Sequence, residues 1–163
     1  MNPPPPGSYD ALLTRSTAFG GLDEAALNDI ASRGLLLDAK QGDLVMFEKT
    51  RGGPGLYVVL EGQVEVFLAH EGGGEDARRE PVRLNTLGPG DCFGEYSLID
   101  GKDTSASARA LSDIKLFFLP RGEFLRVTES NPQAGKTIYR NLLLFLIERL
   151  RQKDEQLDVL ILR

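Results

Sequence analysis

The spacing of apolar residues divides the chain into a short helical beginning, a strand-rich middle and a helical end. Near the N-terminus, apolar residues recur three and four positions apart, which predicts one short helix over residues 9–16 and a stronger one after it. Asp23 stands where a capping side chain is expected for the second helix, and Gly34 stands where that helix should stop. We expect the two helices to form a clasp that packs on a larger unit.

Between residues 35 and 119 the pattern changes to short apolar runs separated by Gly-rich turns. The eight runs cover residues 35–37, 44–47, 56–60, 64–68, 82–84, 91–93, 107–110 and 114–119. Eight short strands at nearly regular spacing predict a mainly-β sandwich or barrel. The third and fourth runs are joined by Glu61 and Gly62 and predict a tight hairpin, whereas residues 70–81 predict an exposed, charged, Gly-rich loop.

The end of the chain predicts two helices. Pro120 ends the last strand, residues 121–129 form a short helix, and Pro132 has the favoured first-turn position of a long helix that reaches about residue 160. One stripe of the long helix can pack on the strand-rich unit and comprises Ile138, Leu142 and Phe145. A second stripe alternates three and four apart like a coiled-coil seam and comprises Leu143, Leu146, Leu150, Lys153, Leu157 and Leu160. We favour a helix-mediated homodimer, with packing of all these leucines on their own domain as the alternative.

Composition limits the classes of protein to which the chain can belong. Its 163 residues are 41% apolar and 26% charged, as in a soluble globular protein with one domain and appendages. We expect a disordered Pro-rich tail over residues 1–8, a domain with its helical clasp over residues 9–133, and a long dimerisation or partner-binding helix over residues 134–163. The net charge of −5 argues against a general nucleic-acid binder. The longest apolar run, residues 142–147, is far shorter than the ~20 residues of a membrane span, and the single cysteine fits a reducing compartment, so we expect a cytoplasmic protein.

The stretch from residue 93 to residue 109 carries the candidate chemistry. It contains Gly94 and Glu95, then a run long enough for one helical turn, then a loop rich in hydroxyl groups. Glycine lets backbone N–H groups approach an anion closely, and the carboxylate of Glu95 can accept hydrogen bonds from sugar hydroxyls. These residues predict a cradle for a phosphate and a sugar.

Three motifs give this stretch a context: YVVLEGQVEV at residues 57–66, GPGD at residues 88–91 and FGEYSL at residues 93–98. Together with the helical clasp and the long last helix, they resemble the cyclic-nucleotide-binding domain family, above all the sensor half of the bacterial catabolite activator type. The resemblance covers about residues 12–155. It implies an eight-stranded jelly roll, or double-stranded β-helix, with N-terminal helices and a long C-terminal helix.

The resemblance also implies a ligand-binding role for seven residues: Gly94, Glu95, Ser97, Leu98, Thr104, Ser105 and Ser107. The Gly-Glu pair would contact ribose, with the glutamate taking the 2′-hydroxyl. Backbone N–H groups around Ser97 and Leu98 and at Ser105 would face the cyclic phosphate, and Ser107 would meet the base.

One position departs from the family. Where the family usually has an arginine that clamps the phosphate, this chain has Thr104, with the carboxylate of Asp103 beside it. An arginine would make two charge-assisted hydrogen bonds of ~1.5–3 kcal/mol each, and leaving a buried phosphate without that partner costs ~3–5 kcal/mol. The loss of the arginine therefore predicts roughly hundredfold to thousandfold weaker binding of cAMP or cGMP. Two cations are candidates to compensate: Lys102, close to Thr104, and Arg149 on the long helix, although a solvated salt-bridging arginine is the simpler expectation for Arg149.

These observations predict a non-enzymatic regulatory module that works through protein–protein contacts. Activators of the resembled type continue into a helix-turn-helix domain, whereas this chain ends at Arg163, so we expect no direct DNA binding. Catalysis and a metal site are not expected, because the only histidine is His70, in a predicted loop. No cofactor is expected, apart from a cyclic nucleotide as a weakly bound regulatory ligand. The alternative is a functional sensor of a cyclic nucleotide or another small ligand, which shifts its C-terminal helix on binding.

Overall fold

The computed structural model of the chain describes residues 10–51, 55–69 and 80–161. Its elements follow one another in the order α1 (Asp10–Arg15), α2 (Glu24–Arg33), β1 (Leu35–Ala39), β2 (Leu44–Met46), β3 (Gly55–Glu61), β4 (Val64–Leu68), β5 (Val82–Leu87), β6 (Cys92–Phe93), α3 (Glu95–Asp100), β7 (Ser107–Ala110), β8 (Ile114–Pro120), α4 (Arg121–Ser130) and α5 (Pro132–Ile161). The predicted tail over residues 1–8 and the part of the predicted loop that contains His70 lie outside the described residues. No helix within the described ranges is long and apolar enough to cross a membrane.

The strands form two antiparallel sheets of four strands each. One sheet has the order β1-β8-β3-β6 and the other has the order β2-β7-β4-β5. The predicted number of strands is confirmed within the described residues, but the prediction of a mainly-β class is wrong. Helices hold more of the described residues than strands do, because α5 alone contributes 30 residues.

One predicted strand pairing is also wrong. β3 pairs with β6 and β8, whereas β4 pairs with β5 and β7, so the two strands predicted to form a hairpin belong to different sheets. The turn between them holds Gly62 at φ +80°, where a Cβ atom would lie 2.3 Å from the carbonyl oxygen of Asp113. A short glycine turn therefore carries the chain from one sheet to the other, and its sequence looks the same as that of a hairpin turn.

The interior has two apolar layers, and β3 contributes to both. Alternate residues of a strand point to opposite faces of its sheet. Leu56, Val58 and Leu60 pack under the helices, whereas Tyr57 and Val59 pack between the two sheets. Because both faces are covered, β3 reads as an almost continuous apolar run. Each large side chain that is fully buried in these layers stabilises the fold by about 1.5–3 kcal/mol.

The long helix α5 is fixed to the domain along its first half. Ala134, Ile138 and Leu142 are buried. Phe145 is partly buried and packs against the apolar layer under the helices, the helix-side core. The stripe of Ile138, Leu142 and Phe145 therefore packs on the strand-rich unit, as predicted. The side-chain amide of Asn141 donates hydrogen bonds to two carbonyl oxygens of the segment after α1, at 3.1 and 2.8 Å. These contacts fix where the following residues of α5 pass over the sheets.

Candidate functional site

A glycine allows β6 to turn directly into α3. Gly94 has φ +86°, in the left-handed region, and a Cβ atom there would lie 2.4 Å from the carbonyl oxygen of Gly55 in β3. Only glycine adopts this conformation at this distance without strain. The sharp turn makes Glu95 the first residue of α3 and directs its side chain inward, where the residue is 3% exposed.

The buried carboxylate of Glu95 is paired with a cation from α5. Its Oε1 accepts a hydrogen bond from Nη1 of Arg149 at 2.9 Å, and the two side chains are 4% and 13% exposed. Burial raises the pKa of the Glu95 carboxyl above its usual value, while a hydrogen bond from its own backbone and the charge of Arg149 act in the opposite direction. The site therefore contains an ion pair largely shielded from water.

Two further groups hold the guanidinium of Arg149. The side-chain amide of Asn85 in β5 satisfies both its polar atoms when its oxygen accepts hydrogen bonds from Arg149, from Nε at 3.0 Å and also from Nη2, and its nitrogen donates to the carbonyl of Leu84. The ring of Phe145 lies 5.3 Å from the guanidinium carbon. The prediction of a salt bridge for Arg149 is confirmed, and the prediction that it is solvated is wrong, because α5 passes close enough to bury it.

A cleft opens beside this ion pair and contains about 460 Å³ of empty space, which is open to solvent. It is lined by residues from both sheets, the α3 segment and α5: Met46, Val66, Leu84, Phe93, Gly94, Glu95, Tyr96, Ser97, Thr104, Ser105, Ala106, Arg149 and Lys153. The structure thus brings together six of the residues predicted from the sequence: Gly94, Glu95, Ser97, Thr104, Ser105 and Arg149.

Three other predicted residues do not line this cleft. Leu98 is 1% exposed in the helix-side core, and its N–H donates to the carbonyl of Gly94 at 3.1 Å. The hydroxyl of Ser107 accepts a hydrogen bond from the N–H of Glu48 at 3.0 Å. Lys102 points away from the cleft, with its side chain 82% exposed and its Nζ 3.8 Å from a carboxylate oxygen of Asp100. The helical hydrogen bonding of α3 and the direction of the following loop account for these positions.

Thr104, at the position where the resembled family usually has an arginine, is engaged with a neighbouring backbone segment. Its hydroxyl donates to the carbonyl of Phe47 and accepts from the N–H of Thr50 at 3.0 Å. Its own carbonyl accepts from the N–H of Lys49 at 2.8 Å. Thr104 therefore ties two loops together, and it supplies no positive charge to the cleft.

The second stripe of α5 is largely exposed. Leu143, Leu150 and Leu157 are 57%, 60% and 55% exposed, whereas Leu146 is partly buried and the side chain of Leu160 lies outside the described residues. Three further large apolar residues of the same helix are exposed, Tyr139, Leu144 and Ile147. Among the described residues, no group of three His, Cys, Asp or Glu side chains is placed to hold a metal ion.

Comparison with known proteins assigns the family. Residues 36–131, which include the Gly94–Glu95 turn and Thr104, match the family model of the cyclic nucleotide-binding domain. The chain belongs to this family. It is 39% identical over 120 residues to the "Cyclic AMP receptor protein" of Thermus thermophilus, in a match that covers 74% of this chain and 47% of that protein.

Other relatives and solved structures agree with the assignment. The chain is 27% identical over 154 residues to a "CRP-like cAMP-activated global transcriptional regulator" of Mycobacterium tuberculosis, covering 93% of this chain and 63% of that protein. The crystal structure of the Thermus thermophilus catabolite activator protein superposes with a TM-score of 0.71 at 34% identity, over 89% of this chain and 63% of that one. A cyclic nucleotide-binding domain from Methylobacillus flagellatus has a TM-score of 0.77 at 22% identity, over 91% of this chain and 82% of that one, which shows the shared fold. The chain thus spans between about half and two thirds of the length of these two curated relatives.

The resemblance inferred from the sequence motifs is therefore confirmed. Two residues of the site carried little signal in the sequence. Asn85 is one polar residue in an edge strand, and nothing in its neighbours indicates a partner on α5. Lys153 was visible only as the polar break in an apolar stripe, whereas the structure places it at the cleft.

Proposed function

We propose that the chain is a non-enzymatic regulatory module that has an impaired cyclic-nucleotide pocket and acts through contacts with other proteins. A regulatory role is supported by the family and by the relatives, whose names describe a receptor and a transcriptional regulator. The observation that carries the impaired pocket is Thr104. Its hydroxyl is already bonded to Phe47 and Thr50, and no cation from the same loop lines the cleft among the described residues.

The missing charge has a calculable effect. Two charge-assisted hydrogen bonds of ~1.5–3 kcal/mol each are lost when a clamping arginine is absent, and each ~1.4 kcal/mol is tenfold in affinity. Glu95 adds a second obstacle, because Arg149 already occupies one oxygen of the carboxylate that would receive a ribose hydroxyl. We expect cAMP and cGMP to bind at least a hundredfold more weakly than to a pocket with the arginine, and we expect neither to bind at micromolar concentration.

Calorimetric titration with cAMP and cGMP tests this proposal. The wild type should show no micromolar binding, and Thr104→Arg should gain about two orders of magnitude in affinity. Thr104→Val is the matched control, because it removes the same hydroxyl contacts to Phe47 and Thr50 without adding a charge. Micromolar binding by the wild type would refute the impaired pocket. So would a folded Thr104→Arg variant that gains nothing over Thr104→Val.

A second candidate function is a working nucleotide sensor that uses Arg149 as its cation. The observation in its favour is the position of Arg149 at the cleft, with its side chain only 13% exposed. In this case the wild type binds cAMP or cGMP at micromolar concentration, and Arg149→Lys weakens binding because lysine cannot reproduce the guanidinium fork. Binding would then shift α5, which carries Arg149.

We propose further that the exposed stripe of α5 forms a homodimer seam. Leu143, Leu150 and Leu157 repeat at heptad spacing and are each more than half exposed. Leu150→Glu should convert the protein to monomers in light scattering, since it places a charge at the centre of the seam. Gln152→Glu is the control, because Gln152 is also exposed but lies on the opposite side of the helix. An unchanged mass for Leu150→Glu, or a wild type that is already monomeric, would contradict the seam.

A further inference from the structure

A second cavity opens between the end of β2 and the start of β3, which belong to different sheets. It contains about 420 Å³ of empty space, open to solvent, which is within the usual size of small-molecule sites. Met46, Ser97 and Thr104 line both this cavity and the cleft, so they stand between the two. None of the described residues that line the second cavity is charged, in contrast to the cleft. The second cavity therefore offers an ionised group no side chain of opposite charge.

Tyr57 is held in the wall of this cavity from both faces of its ring. Phe93 on β6 and Phe118 on β8 lie on opposite sides of β3, and each is paired with Tyr57 in the strand register. The ring of Phe93 stacks on that of Tyr57 at 4.7 Å between centroids, and the ring of Phe118 lies at 4.5 Å. Because both faces are covered, Tyr57 meets the cavity with the edge of its ring and with its hydroxyl group.

The hydroxyl of Tyr57 is free to bind an occupant. It has no hydrogen-bond partner among the described residues. Burial raises the pKa of Tyr57 above its usual value, so the hydroxyl stays neutral and can either donate or accept a hydrogen bond. The cavity thus contains one polar group whose position is fixed by the packing of its own ring.

Most of the remaining wall is apolar. Val45 and Met46 line the cavity from β2, and Phe47 follows them. The residue Phe47 is 55% exposed, so its ring stands at the mouth of the cavity. Its backbone carbonyl accepts a hydrogen bond from the hydroxyl of Thr104, which fixes the backbone but leaves the ring open to contact. An occupant that covers this ring removes apolar surface from water, which favours binding.

We propose that the second cavity binds a small uncharged aromatic molecule, whose ring packs on Val45 and Phe47 and whose polar group bonds to the hydroxyl of Tyr57. This goes beyond the proposed function and does not depend on it, because the site lies outside the cleft and needs no cation. Thr104 stands between the two cavities and ties residues 47–50 to the loop before β7. An occupant of the second cavity would therefore contact one wall of the cleft without entering it.

Fluorescence titration of the full chain with indole tests the proposal, because the chain has no tryptophan and the emission of indole can be followed directly. Indole should bind at millimolar concentration or below. Tyr57→Phe keeps the ring and removes only the hydroxyl, so it should weaken binding about two- to tenfold, the contribution of one neutral hydrogen bond. Val45→Phe fills the cavity and should abolish binding. Leu84→Phe is the matched control and should change nothing, because Leu84 lines the cleft and not the second cavity.

The charge of the occupant is tested with indole-2-carboxylate. It should bind about tenfold more weakly than indole or worse, because its carboxylate would meet a wall without positive charge. Equal affinity for the two compounds would refute an uncharged ligand class.

Three other outcomes would overturn the site itself. They are no binding of indole up to its solubility, an unchanged affinity in Tyr57→Phe, and a loss in Leu84→Phe but not in Val45→Phe. Circular dichroism should show that each variant is folded; if Val45→Phe is not, the comparison of Tyr57→Phe with Leu84→Phe still decides. None of these results changes the affinity for cAMP, so failure here leaves the impaired cyclic-nucleotide pocket as proposed.

Discussion

The ion pair between Glu95 and Arg149 joins the cleft to α5. Substitution of the arginine should destabilise the fold more than substitution of the glutamate. With both side chains nearly buried, at 4% and 13% exposure, loss of one partner leaves the other charge without compensation. Breaking such a pair costs about 3–5 kcal/mol. Arg149→Met leaves the Glu95 carboxylate unpaired, so we expect about 3 kcal/mol or more at pH 7. Glu95→Gln should cost less, about 1–2 kcal/mol, because the amide oxygen of glutamine can still accept a hydrogen bond and Asn85 still holds the guanidinium.

The double variant Glu95→Gln/Arg149→Met completes a mutant cycle. Replacing a whole buried ion pair by neutral groups is often nearly neutral in stability, so the double variant should be more stable than Arg149→Met alone. The coupling energy should then be about 2–3 kcal/mol, within the range for residues in direct contact. Lowering the pH should also rescue Arg149→Met, because burial already raises the pKa of Glu95 and a protonated carboxyl needs no cation.

Urea denaturation followed by circular dichroism at pH 7 and pH 5 measures these free energies of unfolding, and the chain has no tryptophan to follow instead. Arg126→Met is the control, because Arg126 also pairs with a glutamate, Glu123 at 2.6 Å, but its side chain is 69% exposed. Such surface pairs contribute at most about 1 kcal/mol. The reasoning fails if Arg149→Met costs no more than Arg126→Met, or if the two single effects simply add.

Two further predictions follow from the described contacts. Gly94→Ala should destabilise the fold by about 2 kcal/mol or more in urea denaturation, because alanine is strained in the left-handed conformation and a carbonyl oxygen would lie 2.4 Å from the new Cβ. Gly88→Ala is the control and should change the free energy of unfolding by no more than about 0.5 kcal/mol, because nothing lies within 4 Å of its Cβ position. Equal effects of the two substitutions would contradict the close approach at Gly94. Hydrogen bonds from Arg109 and then Arg83 hold the pKa of Glu65 below its usual value, so its contribution is present above the unfolded-state pKa and is lost as the pH falls through the folded-state pKa. Glu65→Gln should therefore lose less stability than the wild type on acidification from pH 6 to pH 3, and parallel curves would argue against this.

Most secondary structure could be predicted from the sequence because its signals are local. Asp23 caps α2 by accepting a hydrogen bond from the N–H of Ala26 at 2.8 Å, and α2 ends directly before Gly34. Pro132 begins α5, as its fixed φ favours. The pairing of β3 could not be predicted in the same way. A two-residue connection between apolar runs fits a hairpin and a change of sheet equally well, and only the long-range partners β6 and β8 decide between them.

The candidate site also combines residues that a local sequence motif locates with residues that only long-range packing brings in. Gly94, Glu95 and Thr104 stand in one continuous stretch and were located by its motif. Arg149 and Asn85 lie 54 and 10 residues away from Glu95 in sequence, on α5 and β5, and nothing local shows that they meet. Their meeting depends on the path of α5, which is set by Ile138, Leu142 and the Asn141 amide. A sequence motif therefore gave the position of the carboxylate, but only the packing of a distant helix gave its cation.

Lys153 is the polar break in the stripe of α5 that we propose as a dimer seam. On a regular helix it lies about 40° from Arg149 and about 60° from Leu150 around the axis, between the cleft face and the exposed leucines. Its long side chain can reach the cleft while its stem borders those leucines. The polar break is therefore the place where the two faces of α5 meet, which makes a lysine compatible with an otherwise apolar stripe.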